Sequence, residues 1–332
     1  MIHEQSTPVS PRWLHALAVL TVLFTLPLLF LGAGVTSHGV GMVDPQGFRP
    51  PWEIVNGLLE NSGLDWRLEY GHRTFGFLVG LCGIGLAVGC FFDRRPWMRG
   101  MGLLALALIC TQGLLGIFRV DYHALHGRTF ALIHGVFAQI VFAVLVSIAV
   151  FTSRRLNPDG SEPIAPALQR WSVVTVLIVF SQLILGGLVR HDQSLLGPRG
   201  HLLGAFVVVA AVVWLLKLMR ESDSSSPLPT GGEGPGVRGG FRVQRILLMA
   251  LLTVQLLLGV ESWLAKFPAG PYTDLPQFAP MPMHAEWIRT VHYLVGTLIF
   301  STTVVIALAV CRKPIISSET ALTPPREWEG AL

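Results

Sequence analysis

The sequence is short of charge. Only 13% of its 332 residues are charged, whereas soluble domains average about 25%. Apolar residues make up 52% of the chain, and the mean hydropathy is +0.58. They are grouped in runs of roughly twenty residues, the length that crosses the hydrocarbon core of a bilayer. These features exclude an ordinary soluble domain and predict a membrane protein with several spans.

Cysteine is also scarce, and none lies in a loop. The four cysteines all fall inside the apolar runs, and no two of them form a CxxC pair. This placement excludes a structural disulfide between loops. We expect these residues to pack as small hydrophobic side chains.

The apolar runs predict an all-α membrane protein with eight transmembrane helices. The runs cover residues 14–35, 71–92, 99–118, 129–151, 170–190, 201–219, 244–263 and 288–311. Most Lys and Arg residues lie in the two termini and in the loops that follow even-numbered runs. The positive-inside rule therefore places both termini in the cytoplasm. The pI of 9.1 reflects this topology, and we expect the bilayer rather than a nucleic acid as the partner.

Matching helix ends indicate an internal repeat. The first run ends "LGAGVTS" (31–37) and the fifth "LGGLVRH" (185–191), while the third contains "QGLLG" (112–116) and the seventh "QLLLG" (255–259). This order predicts two parallel four-helix-bundle repeats related by an axis along the membrane normal. Glycine at these ends also allows helices to approach closely, which is the simpler interpretation.

The repeat divides the chain into two halves. The N-terminal half covers residues 1–155, and the C-terminal half covers residues 165–220 and 241–313. Between the last two segments, residues 222–240 are rich in Ser, Pro and Gly. This composition predicts a disordered cytoplasmic linker.

Four histidines lie near the outer ends of the even-numbered spans, two in each half: His72, His134, His201 and His292. Facing imidazoles in a four-helix bundle can fill both axial positions of a haem iron. Imidazole also suits copper and zinc, but no cysteine or carboxylate cluster completes a tetrahedral zinc site. The sequence lacks CxxCH, which excludes c-type attachment of a haem. We expect His72 to pair with His134, and His201 with His292.

Six motifs resemble those of the heme A synthase family, and they occur in the family's order along nearly the whole chain. The motifs are "LEYGHR" (68–73), "QGLLGIFRV" (112–120), "HGVFAQ" (134–139), "LGGLVRH" (185–191), "RGHLLGA" (199–205) and "VHYLVG" (291–296). Two features depart from the family pattern: the fifth-to-sixth loop is only "DQSLLGP" (192–198), and the outer loops lack a cysteine pair.

The resemblance implies an oxidoreductase of the cell (inner) membrane that converts the C8 methyl group of haem O to the formyl group of haem A, for cytochrome oxidase. It implies that His72 and His134 bind the iron of the substrate haem O. His201 and His292 would bind the iron of a resident haem b, and both sites would lie toward the outer face. The implied partners are a haem O synthase as supplier and a membrane electron acceptor, with water as the oxygen source.

Glu69 is the catalytic candidate. It precedes His72 by three residues and so shares a helix face with it, and a carboxylate at membrane depth is costly unless paired or solvated. The family's matching glutamate takes part in catalysis, and the resemblance makes Arg73 a candidate partner of a haem propionate. A purely structural alternative is an ion pair with Arg73 or a helix-start position favoured by the macrodipole.

Other polar residues near the spans have several interpretations. Four arginines near the outer ends are either propionate ligands or interfacial anchors: Arg119, Arg128, Arg190 and Arg199. Three glutamines are expected to form hydrogen bonds across helices: Gln112, Gln139 and Gln255.

Two other functions stay open at this point. A bis-histidine di-haem electron carrier needs the four histidines but no catalytic Glu69. A transporter or haem chaperone would use the repeat as a binding cleft. The sequence also leaves the oligomeric state open, a homo-oligomer included.

Overall fold

The computed structural model describes residues 10–153, 164–192, 194–225, 241–267 and 283–312. Within these ranges the secondary structure consists of nine α-helices and no strand. The helices are α1 (Arg12–Ser37), α2 (Pro51–Glu60), α3 (Leu64–Phe91), α4 (Pro96–Asp121), α5 (His123–Thr152), α6 (Pro166–His191), α7 (Leu196–Ser225), α8 (Arg242–Lys266) and α9 (Met283–Cys311).

Eight of these helices are long and apolar enough to cross a membrane, which confirms the predicted all-α protein with eight spans. The remaining helix, α2, is short and lies in the loop between the first two spans, where no helix was predicted. An apolar run marks only the part of a helix that lies in the hydrocarbon core. The backbone hydrogen bonds of the helix can continue beyond the ends of that run. For this reason α3 begins at Leu64 rather than near residue 71.

Three further histidines lie at or near the starts of helices. His123 begins α5, and His284 lies in the first turn of α9. His126 lies within α5, where its φ of −140° and ψ of 19° kink the helix.

The predicted linker begins later than residue 222. Helix α7 continues to Ser225, and the Asp223 carboxylate accepts a hydrogen bond from the Phe241 backbone N–H at 3.0 Å. Asp223 also forms an ion pair with Arg245 at 3.1 Å. The start of the segment is therefore helical and attached to the beginning of α8. Residues 226–240 lie outside the described residues.

The spans pack as two groups. Helices α1, α3, α4 and α5 surround one apolar core that contains Leu14, Leu86 and Leu145, and α6 to α9 surround a second one that contains Leu168 and Leu248. A third cluster of apolar side chains, from α1, α5 and α9, joins the two groups. The parallel-repeat relation between the groups stays a prediction.

A buried ion pair lies at the end of the first helix group where α1 begins. It connects the residue before α1, the loop between α3 and α4, and the end of α5. Asp93, which is 3% exposed, accepts two hydrogen bonds at 2.9 Å from the Arg95 guanidinium and one from the Ser10 hydroxyl. Arg95 also donates to the Phe151 carbonyl at the end of α5. Burial raises the pKa of Asp93, but the hydrogen bonds from Arg95 and Ser10 outweigh it and leave that pKa lowered. The pair therefore stabilises the fold above the ordinary Asp pKa, and this contribution fades as the pH falls below it.

We expect Asp93→Asn to destabilise the protein by about 3 kcal/mol, because the Arg95 charge then loses its buried partner. Thermal unfolding of the purified protein in detergent measures the change. Glu221→Gln is the matched control, since Glu221 and Lys217 form an exposed pair and such pairs contribute about 0–1 kcal/mol. Equal stability of the two variants would contradict the structural role of Asp93.

Candidate functional site

The structure brings His72 and His134 together in the first helix group. His72 lies in the third turn of α3, and its ring centroid is 6.3 Å from that of His134 in α5. His72 Nδ1 lies 3.0 Å from the Leu28 carbonyl oxygen of α1. If Nδ1 carries the proton and donates it to this carbonyl, Nε2 is the nitrogen left for a metal. The predicted pairing of these two histidines is therefore present in space.

His201 and His292 form the corresponding pair in the second group. His201 lies in α7 and His292 in α9, and their ring centroids are 6.2 Å apart. The Gln182 side-chain amide of α6 donates to the His201 carbonyl at 2.8 Å. Two histidine pairs with nearly equal spacing thus lie in the two groups.

Glycine leaves the space for each imidazole. A Cβ atom at Gly32, Gly116, Gly186 or Gly259 would approach the Cε1 atom of His72, His134, His201 or His292 to between 2.7 and 3.3 Å. All four glycines come from the helix-end motifs that suggested the repeat. The glycines therefore make room for imidazole rings, a role that the sequence pattern did not reveal.

Two of the predicted glutamines bind the histidines. The Gln112 amide nitrogen lies 3.2 Å from both ring nitrogens of His134 and donates to its carbonyl at 3.1 Å. The Gln255 amide nitrogen lies 3.4 Å from His292 Nε2. These contacts confirm the expected hydrogen bonds across helices for Gln112 and Gln255.

The histidine pairs fit the iron of a haem. Two metal–imidazole bonds of about 2 Å on opposite sides of a metal leave the ring centroids roughly 6 Å apart, close to the 6.3 and 6.2 Å observed. No group of three or more His, Cys, Asp or Glu residues suited to a metal ion occurs among the described residues. A porphyrin brings its own four equatorial nitrogens, so two protein ligands suffice.

Glu69 lies one helical turn from His72 in α3, and its carboxylate accepts three hydrogen bonds. The residue is 4% exposed. One carboxylate oxygen accepts a hydrogen bond from Arg73 at 2.5 Å, and the other accepts the backbone N–H groups of Val43 and Asp44 at 2.9 and 3.3 Å. The ion pair that was weighed as the structural alternative is therefore present, whereas the helix-start alternative is wrong because Glu69 lies in the second turn of α3.

Asp44 completes this cluster, and the sequence analysis missed it. Its carboxylate, 1% exposed, accepts hydrogen bonds from Arg49 at 2.9 and 3.1 Å and from the Tyr70 hydroxyl at 2.9 Å. Burial raises the pKa of Asp44, but the hydrogen bonds from Arg49, the Gln46 backbone and Tyr70, with the charge of Arg73, lower it to about 2. An acidic residue in the loop between the first two spans does not by itself indicate a functional site, because the sequence does not show that this loop reaches Tyr70 and Glu69 of α3.

Arg73 is held by the same loop. Its guanidinium donates to the Gln46 carbonyl at 2.9 Å and to the Asp44 carbonyl at 3.2 Å, in addition to the bond to Glu69. A propionate that binds Arg73 would have to share or replace these bonds.

The four arginines named as propionate ligands or interfacial anchors differ in how far they are buried. Arg128 and Arg199 are exposed, as interfacial anchors are. Arg119 is partly buried and lies against Gly41. It is close enough to Glu69 for the two side chains to interact electrostatically. Arg190 lies between the helix groups, where it donates to the Ala33 carbonyl at 3.0 Å and to the Ser37 hydroxyl at 2.7 Å.

Tyr293 is a second residue that the sequence analysis missed. It follows His292 in α9, and its hydroxyl accepts a hydrogen bond from the Gln139 amide of α5 at 2.7 Å. Its ring also lies 5.4 Å from the Arg190 guanidinium. The third predicted glutamine thus bonds across helices as well, directly between the two groups.

Comparison with known proteins gives a family match and similarity to curated proteins. Residues 58–199 match the family COX15-CtaA, described as cytochrome oxidase assembly protein. Heme A synthase COX15 of Homo sapiens is 36% identical over 77 residues, which cover 21% of this chain and 18% of the human protein. Heme A synthase COX15 of Mus musculus is 38% identical over 77 residues, with the same two shares of 21% and 18%.

The aligned segment therefore spans less than a fifth of either curated relative. The family match includes Glu69, His72 and His134, whereas His201 and His292 lie beyond it. These matches confirm the resemblance that the sequence motifs indicated: residues 58–199 are similar to the COX15-CtaA family, and part of the chain is similar to heme A synthases.

Proposed function

We propose that this protein is a heme A synthase, which oxidises the C8 methyl group of haem O to the formyl group of haem A for cytochrome oxidase. The observation that carries the proposal is the buried Glu69 carboxylate one helical turn from the His72–His134 pair. All three residues lie in the segment that matches the family. A carboxylate within a membrane helix is costly unless it is paired or solvated, and such residues usually mark functional sites.

The two histidine pairs have different tasks in this proposal. His72 and His134 hold the iron of the substrate haem O and so fix the position of its methyl edge. His201 and His292 would hold a resident haem b, and the chemistry that this group would supply is one-electron transfer toward an electron acceptor in the membrane.

The reaction requires a proton acceptor. Conversion of a methyl group and one water molecule to a formyl group releases four protons and four electrons, by way of a hydroxymethyl group. Glu69 would accept protons at this edge. A carboxylate offers about four acceptor positions, and the hydrogen bonds from Arg73, Val43 and Asp44 fill three of them. The remaining position can take a proton from the substrate or from water without loss of the loop contacts.

The structure describes a multi-pass membrane protein, and the finer placement belongs to the proposal. Both termini face the cytoplasm, and the histidine pairs lie toward the outer face of the cell (inner) membrane. A haem O synthase supplies the substrate. The basic loops at one end of the bundle support this orientation.

The bis-histidine electron carrier is the second candidate. The observation that favours it is the Glu69–Arg73 ion pair, because this pair gives Glu69 a structural role that needs no chemistry. In that case the Glu69 carboxylate would be buried because it binds Arg73 and the loop around Asp44.

Replacement of Glu69 separates these two functions. If Glu69 accepts protons, Glu69→Gln should lower haem A formation by about 10²–10⁴-fold while haem still binds at His72 and His134. Haem O or its hydroxymethyl form should accumulate, as measured by mass analysis of pigments extracted from cells that carry the variant.

Arg73→Gln is the matched control, because it breaks the same ion pair but keeps the carboxylate. It should lower haem A formation much less than Glu69→Gln does. Equal effects of the two variants, or a normal haem A yield from Glu69→Gln, would refute the catalytic role of Glu69.

The resident haem has its own test. We expect His201→Ala and His292→Ala each to weaken haem b binding by at least about 10–100-fold, since loss of mere second-shell partners of a metal already costs this much. The low-spin haem spectrum of the purified protein measures the loss. His284→Ala serves as the control, because His284 lies on the same helix as His292 and is exposed. Unchanged haem content in both site variants would overturn the assignment.

A further inference from the structure

Three basic side chains meet at the outer end of the second helix group. Arg190 lies in the last turn of α6, Lys266 ends α8, and Arg289 lies in the second turn of α9. We name these residues the junction cations. Arg190 is one of the four arginines that the sequence offered as propionate ligands or interfacial anchors, whereas Lys266 and Arg289 are not among them.

The junction cations repel one another. Arg190 lies within the electrostatic range of Arg289 and of Arg119 from the first group. Lys266 lies within the range of both Arg190 and Arg289. Glu286 attracts Arg289, but its carboxylate also binds His38 Nδ1 at 2.7 Å. Like charges in a partly buried site repel one another, and an anion bound between them lowers this cost.

The junction cations lie next to the second histidine pair. Arg190 follows Gly186 by four residues, and Gly186 is the glycine that contacts His201. Arg289 precedes His292 by three residues on α9. Residues three or four apart lie on the same helix face, about one turn or 5.4 Å along the axis. Both arginines therefore lie one turn nearer the outer end than the histidines.

Arg190 retains an unused donor at this place. Its Nη2 atom binds Ala33 and Ser37 of α1, whereas its Nε atom is buried with no hydrogen-bond partner among the described residues. A buried donor without a partner costs free energy. A carboxylate oxygen would supply the missing acceptor, and its hydrogen bond to the charged guanidinium would be a strong one.

We propose that Arg190, Lys266 and Arg289 bind the propionate carboxylates of the haem held by His201 and His292. This inference rests on the proposed haem at that histidine pair. A haem carries two carboxylates on one edge, and the junction cations lie on one side of the pair, toward the outer end. The bound carboxylates neutralise the cluster and give Arg190 Nε an acceptor.

The test uses the full-length protein purified in detergent with its haem. Arg190→Gln should release haem to excess apomyoglobin about 10-fold to 100-fold faster than the wild type, as expected for a lost charge-assisted hydrogen bond. Arg190→Lys keeps the charge and should restore part of the retention. Arg67→Gln is the control, because Arg67 is an exposed residue in the first turn of α3, and it should release haem at the wild-type rate.

A second measurement removes the carboxylates from the ligand. Protein produced in haem-deficient cells is loaded with haem or with haem dimethyl ester. The wild type should retain haem better than the ester, and Arg190→Gln should lose most of this preference.

If Arg190→Gln releases haem at the wild-type rate and keeps the full preference over the ester, the inference is wrong, and the cluster binds another anion such as a lipid phosphate. Haem retained by both His201→Ala and His292→Ala would instead contradict the proposed haem site itself. The two failures are therefore distinguishable.

Discussion

Hydrocarbon offers no hydrogen-bond partners, so every polar group within the spans must find its partner inside the protein. This constraint organises the site. Gln112 and Gln255 use their amides on histidines of neighbouring helices, and Gln139 uses its amide on Tyr293. Glu69 obtains three donors from its own helix and from the loop after α1. These glutamines and Glu69 thus lie at or near the two histidine pairs.

The two helix groups treat their histidine pairs differently. Glu69 lies three residues before His72, whereas Pro198 lies three residues before His201 and carries no side-chain acceptor. The first pair therefore has a carboxylate and an ordered loop beside it, and the second has basic residues one turn away. This difference agrees with the proposed division between a reacting haem and a resident one.

The contact between the groups lies close to the second pair. Tyr293 follows His292 and binds Gln139 of α5, while Arg190 binds the end of α1. Ser37 of α1 also accepts a hydrogen bond from Thr290 of α9. Residues that hold the groups together are thus neighbours of residues that hold the proposed haem b, so changes at one are expected to be felt at the other.

The sequence by itself determined the eight spans and the four histidines, because hydropathy and residue type are local properties that survive without a fold. It also identified Glu69 and the glycine motifs, but it did not show what they contact. Only the tertiary structure showed that Gly32, Gly116, Gly186 and Gly259 each face an imidazole ring. It also decided that Glu69 binds a loop twenty-five and twenty-six residues away in sequence, and that Arg190 and Tyr293 meet between the groups. Such contacts join residues far apart in the chain, and their partners are fixed by how the helices pack.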